Sequence, residues 1–273
     1  MPETLLPDGR SAQYWLGGSE TGPTVLFFHG CPDTRWAART GEPAAREVGV
    51  RLLAVNRQGY GRSALADSTH VSAAADALAV ADSLGIEPVA VLGMSVGGAY
   101  AAACAATNPE RVTALGIVNT LPPPDQASPE TVLAMMSRFA PEFADYVAGL
   151  APDDTDDTAL VARFLDGLPV EDAGLLRATT SAADLATSVR EALARPDGYL
   201  RDAALTFGPW AFDVTAVRCP TELWYGGADE RARPGGDWLA ARIPGARLHV
   251  VPGATHLATL LGSWEEILRT LLD

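Results

Sequence analysis

The sequence predicts an α/β domain, a mostly parallel twisted sheet with helices on both faces, carrying an all-helical insertion. Short apolar runs alternate with helical segments through the first 121 residues, and strand signals then cease until about residue 208. A Gly-x-Ser-x-Gly sequence falls at a strand-to-helix junction. The sheet core is therefore expected over residues 1–121 and 208–273, and the insertion over 122–207.

Each element has its own signal. Thr24–Phe28, Val50–Val55 and Pro88–Leu92 are too short for helices and rich in β-branched or aromatic residues, so they read as strands. His70–Leu84 spaces its apolar positions at helical intervals and stops at Gly85, which predicts a surface helix with His70 at its start. Val96–Thr107 is small and alanine-rich, a helix able to lie close on a sheet, and halts at Asn108-Pro109. A strand at Val112–Val118 ends before Pro122-Pro123-Pro124, which cannot continue a ladder.

From about Asp125 to Phe207 only helix-compatible stretches remain, opened by Ser128-Pro129-Glu130 as an N-cap with proline at the first helical position. The acidic run Asp153, Asp154, Asp156 and Asp157 reads as a solvated loop. Strands resume at Thr221–Tyr225 and Arg247–Val251, separated by a helix near Gly235–Arg242. A last helix begins at Ser263-Trp264-Glu265-Glu266, the pattern of a capping box.

Composition narrows the function. A chain of 273 residues that is 48% hydrophobic and 20% charged can bury a large core, and no apolar run reaches the roughly 18 residues of a membrane span. The first residues carry no basic patch or apolar core of a secretory signal, so a cytoplasmic location is expected. A formal charge of −14 argues against nucleic acid or an anionic membrane as partner, leaving a small-molecule substrate. Lysine is absent altogether, which excludes Schiff-base and P-loop lysines. Cys31, Cys104 and Cys219 show no metal or disulfide spacing, and neither a metal nor a cofactor is expected.

The chemistry centres on Gly93-Met94-Ser95-Val96-Gly97. A serine on a sharp strand-to-helix turn projects its hydroxyl from the carboxyl edge of the sheet, and small neighbours let the turn close. Ser95 is thus the expected nucleophile. A serine hydroxyl needs a base, and among four histidines only His29 and His256 lie past the ends of parallel strands on that edge. His256, in Pro252-Gly253-Ala254-Thr255-His256, follows the serine as the order serine, acid, histidine requires. Asp229, on the loop after Thr221–Tyr225, is the favoured acid to orient it, with Glu230 the neighbour to weigh against it.

Together these positions resemble the α/β-hydrolase superfamily along nearly the whole chain. Phe27-Phe28-His29-Gly30-Cys31-Pro32 is similar to the family's His-Gly-x-Pro loop, and Asn56-Arg57-Gln58-Gly59-Tyr60-Gly61-Arg62-Ser63 to its Asp-Arg-x-Gly-x-Gly-x-Ser turn, with Asn56 in place of the aspartate. The resemblance implies an oxyanion hole formed by the backbone N–H groups of Cys31 and Val96, and a structural role for His29. It also implies a helical cap at the family's usual insertion point. Relatives with an aspartate nucleophile, dehalogenases and epoxide hydrolases, proceed through an alkyl-enzyme ester. Serine implies an acyl-enzyme instead.

The expected activity is hydrolysis of a carboxylic ester or lactone of a small to medium, largely apolar substrate. Met94, Met135, Phe139 and Phe143 are candidates for its pocket, together with Met136 and Phe164. Proline iminopeptidase-like amide cleavage, with the acidic cap holding a free amine, is a second reading. C–C bond hydrolysis, cyclisation and a ligand-binding receptor without turnover also use this scaffold.

Overall fold

The structure is a computed structural model and describes residues 2–124 and 127–273. Met1, at the start of the segment weighed as a signal, and Asp125 and Gln126, inside the expected insertion, lie outside the described residues.

The strands are β1 (Glu3–Leu5), β2 (Ser11–Gly18), β3 (Thr24–Phe28), β4 (Arg51–Val55), β5 (Val89–Met94), β6 (Val112–Val118), β7 (Thr221–Gly226) and β8 (Arg247–Val251). They form one eight-stranded sheet in the order β1-β2-β4-β3-β5-β6-β7-β8. β1 and β2 run antiparallel and the others are parallel, so the expected mostly parallel sheet is present. The strand β2 was not anticipated; it pairs with β4 through Tyr14↔Val55 and Leu16↔Leu53.

Helices α1 (Glu42–Val48), α2 (His70–Ser83) and α3 (Gly97–Thr107) alternate with the strands. Between β6 and β7 come α4 (Pro129–Leu150), α5 (Asp157–Asp166), α6 (Val170–Thr179), α7 (Ala182–Leu193) and α8 (Asp197–Phe207). The chain closes with α9 (Arg233–Ala240), α10 (His256–Leu261) and α11 (Trp264–Thr270). None of the described helices is long and apolar enough to cross a membrane.

Because both faces of the sheet are covered, β3, β5 and β7 are buried along their whole length and read as continuous apolar runs rather than alternating ones. One core layer joins Leu26, Val91, Leu115 and Leu223 to α2 and α3, and the opposite layer joins Phe27, Leu92 and Trp224 to α11. A third cluster, around Leu160, Leu165, Leu185 and Ala186, belongs to the helices between β6 and β7.

Two local readings change. His70 starts α2 but is buried, packed against Tyr100 with ring centroids 4.8 Å apart and flanked by Trp210 and Phe212. Burial drives its imidazole down to about 4, with nearby Arg57 adding to the effect and Asp202 opposing it. Periodicity marked the helix but not the later segment that covers it. The capping box at Ser263 does not form either. Its backbone sits at φ −124°, ψ 10°, outside the extended region that aims an N-cap side chain at the third N–H. The N-cap predicted at Ser128 is present, and it forms a capping box with Thr131 as its reciprocal partner.

Candidate active site

Parallel register brings the strand ends to one edge. Phe28 lies level with Gly93, Met94 with Val118, and Gly226 with Val251. The segments leaving this edge carry His29 to Asp33, Ser95, Asn119, Asp229 and His256.

Ser95 occupies the residue between β5 and the first turn of α3 with φ 56°, the left-handed region that costs a non-glycine residue about 1–2 kcal/mol. The turn is held from below: the Ser95 N–H donates to the Val118 carbonyl at 2.8 Å, and the Thr120 hydroxyl donates to the Ser95 carbonyl at 2.7 Å. Glycine is required at Gly97, where a Cβ would come within 2.1 Å of the Phe28 carbonyl oxygen. That contact presses the start of α3 against the loop after β3. A Cβ at Gly30 would in turn sit 3.5 Å from the Ser95 Cβ, which measures how near the two segments run.

The Val96 N–H opens α3, and the Cys31 N–H lies on the loop beside Gly30; among the described residues neither donates to a protein acceptor. Two N–H groups near a helix N-terminus suit a developing oxyanion. Burial pushes the Cys31 thiol far up, so it is not a thiolate nucleophile. His29 is fully buried, its Nδ1 is 2.8 Å from the Gly30 carbonyl oxygen, and burial with Arg57 nearby depresses its pKa, so it is neutral.

His256 is the first residue of α10, and its Nδ1 is 2.5 Å from Asp229 Oδ2. The other Asp229 oxygen accepts from the Ala232 N–H at 3.1 Å. Burial alone would raise this carboxyl; the His256 hydrogen bond and charge outweigh it and hold the pKa below the usual range. Glu230 is exposed and does not bond to the imidazole. His249, in β8, is 2.6 Å from Glu222 and lies over Trp224.

Two supporting residues carried no local sequence signal as such. Asn119, at φ 49° after β6, donates from Nδ2 to the His256 carbonyl at 2.8 Å and accepts the Gly226 N–H on Oδ1 at 2.9 Å. It ties the Asp229 loop to the His256 loop; asparagine's tolerance of the left-handed region is the one hint available in sequence. Asp172, from α6, accepts from the Ala258 N–H at 3.0 Å and from the Thr255 hydroxyl. Thr255 itself makes no capping bond, so a residue 86 positions away from Ala258 supplies the N-cap of α10.

A cavity of about 600 Å³ opens beside Ser95 and His256. Met94, Phe27, Trp36, Phe164, Leu185 and Leu257 give it mainly apolar walls, between the loop after β3 and helices α6, α7 and α10. Of the candidate pocket residues, Met94 and Phe164 are in this lining. Met135, Phe139 and Phe143 do not line it. They occupy one stripe of α4, where Phe143 stacks on Tyr199 at 4.1 Å, Phe139 contacts Tyr199 and Phe207, and Met135 is 43% exposed. Apolar spacing on a helix reports a buried face without saying whether the face meets a ligand or another helix.

The acidic run is also away from the cavity. Asp154 pairs with Arg163, Asp156 caps α5, and Asp157 pairs with Arg190. Three of its four carboxylates are thus engaged by Arg163, by the N-terminus of α5 and by Arg190 of α7, which leaves the amine-holding role without support from the cavity's geometry. Among the described residues no group of three or more His, Cys, Asp or Glu is arranged to hold a metal ion.

A family model described as alpha/beta hydrolase fold matches residues 23–263. The chain is 30% identical over 263 residues to a pimeloyl-acyl-carrier-protein methyl ester esterase of Chromobacterium violaceum, covering 92% of this chain and 94% of that protein. It is 36% identical over 98 residues to an epoxide hydrolase of Caballeronia sordidicola, covering 34% of this chain and 30% of that protein. Among solved structures, the enol-lactonase of Burkholderia xenovorans superposes with a TM-score of 0.72 at 18% identity, covering 99% of each chain.

Proposed function

Since the chain belongs to the α/β-hydrolase fold family, we propose that it is a serine esterase or lactonase, with Ser95 as nucleophile, His256 as base and Asp229 as the carboxylate that orients the base. The observation that carries the reading is the 2.5 Å contact between His256 Nδ1 and Asp229 Oδ2, made between two loops at the edge where Ser95 sits in a left-handed turn. The near-full-length likeness to a methyl ester esterase favours a carboxylic ester. Helices α4–α8, within 122–207, act as the cap over a core of 1–121 and 208–273.

In the proposed reaction Ser95 Oγ attacks the substrate carbonyl carbon while His256 Nε2 takes its proton. Asp229 fixes the tautomer with the proton on Nδ1 and stabilises the imidazolium. The tetrahedral oxyanion is held by the Cys31 and Val96 N–H groups. Collapse expels the alcohol, which receives the proton from His256 and leaves an acyl-serine. Water, deprotonated by His256, then releases the acid. Aspartyl-ester chemistry of the epoxide hydrolase kind needs a carboxylate at position 95, where this chain has a hydroxyl.

Steady-state hydrolysis of short-chain aryl esters tests this. Ser95→Ala and His256→Ala are each expected to lower kcat by about 10³-fold or more with the fold intact. Equal turnover by wild type and Ser95→Ala would refute the assignment.

A further inference from the structure

Of the acidic residues lining the cavity, Glu42 pairs with Arg46, Asp184 with Arg39 and Asp172 caps α10, whereas Asp33 has no ion-pair partner among the described residues and no use in the proposed reaction. Asp33 lies on the loop after β3, three residues beyond Gly30, and lines the cavity that Ser95 and His256 also line. Its Oδ1 accepts from the Thr34 N–H at 2.8 Å and from the Ser188 hydroxyl of α7 at 3.2 Å. Its Oδ2 has no protein partner among the described residues, although Asp33 faces walls that are mainly hydrocarbon. The helical turn that follows is capped by Thr34, so capping does not account for Asp33.

An apolar chain filling this cavity would leave a carboxylate oxygen bare against hydrocarbon, which costs several times what a satisfied polar group costs. A substrate bringing a donor would avoid that penalty and gain a charge-assisted hydrogen bond. The geometry points to Asp33 as a specificity-determining subsite for a substrate whose chain carries a hydrogen-bond donor, a hydroxyl or an ammonium, away from the scissile carbonyl. Ser188 and the Thr34 N–H both bond to Oδ1, which leaves Oδ2 as the oxygen available to such a donor. Burial pushes this carboxyl up to about 6, against the lowering effect of the Thr34 N–H, Ser188 and Arg57, so it is ionised in neutral solution yet poorly solvated.

This assignment rests on the esterase reading for its substrate class, and the two fail separately in one experiment. Ser95→Ala protein is titrated by calorimetry, well above the carboxyl's pKa, with the methyl esters of hexanoic, hydroxyhexanoic and aminohexanoic acid. The same esters are given to wild type as substrates. Asp33 is expected to make a donor-bearing ester bind about tenfold or more tighter than methyl hexanoate, a preference that shrinks to about twofold or less in Ser95→Ala/Asp33→Leu. A Ser95→Ala/Asp33→Asn protein keeps the shape of the site should the leucine variant not fold, and it is expected to lose the preference for the ammonium ester. Equal or undetectable binding of the three esters, or a preference untouched by both Asp33 changes, would overturn the subsite. Donor-selective binding without turnover by wild type would retain the subsite and overturn the esterase reading.

Discussion

Behind the loop of residues 29–34 a buried arginine and a buried carboxylate satisfy each other, whereas in front of it one carboxylate oxygen is left open. On the closed side Arg57 donates to the His29 and Gly30 carbonyls at 2.6 and 3.0 Å and to both oxygens of Asp202. Tyr60 and Tyr100 each add a hydroxyl to Asp202 at 2.6 Å. Asp202 belongs to α8, so this buried group joins the helical insertion to the back of the loop that holds the Cys31 N–H. On the open side Asp33 has its Oδ1 bonded twice and its Oδ2 free. The difference teaches that the loop is rigid from one direction and receptive from the other: a buried charge with all valences filled locks geometry, and one with a vacant valence selects a ligand.

The largest effect is expected on the closed side. Arg57→Met leaves the buried Asp202 without its counter-charge and two carbonyls without their donor, which should destabilise the fold by about 3–5 kcal/mol in urea unfolding. A loss below about 1 kcal/mol would mean the network is not the anchor of this loop.

Asp33→Asn should act in the opposite direction and with pH. The folded carboxyl is raised to about 6 from 3.8, so between those values the folded state binds more protons than the unfolded one, and wild-type stability falls as pH rises through this window and levels above it. The asparagine variant lacks that decline. Relative to wild type it should gain about 1–3 kcal/mol between pH 4 and pH 7, read from paired urea melts. A constant difference across the range would show that Asp33 is well solvated.

The smallest effect concerns Ser188. Its hydroxyl lowers the Asp33 pKa, so Ser188→Ala should move the upper end of the stability decline to higher pH by a fraction of a unit, with overall stability changed by about 1 kcal/mol or less. Movement to lower pH would contradict the hydrogen bond.

What was legible in the sequence follows from the range of the forces involved. The strand before Ser95, the glycines around it and the alanine-rich helix after it are neighbours in the chain, and a sharp turn needs that local chemistry. Order along the chain sufficed to single out Asp229 and His256, because parallel strands deliver their following loops to one edge. Arg57 with Asp202, and Asp172 with Ala258, are contacts over 145 and 86 positions. No periodicity encodes them, since they depend on how α6 and α8 dock. The same reason made the α4 stripe ambiguous, and Phe139 and Phe143 pack against Tyr199 rather than the cavity. Pattern reading also passed over β2, whose Gly17-Gly18 end and half-buried residues lack a strong apolar run.

The central claim, that Ser95 is an acyl-accepting nucleophile activated by His256, is tested most directly by intact-protein mass spectrometry after reaction with a fluorophosphonate. The account predicts one adduct, mapped to the peptide containing Ser95 and absent from Ser95→Ala and His256→Ala. Folded wild type that stays unmodified, or an adduct that persists in Ser95→Ala, would contradict it.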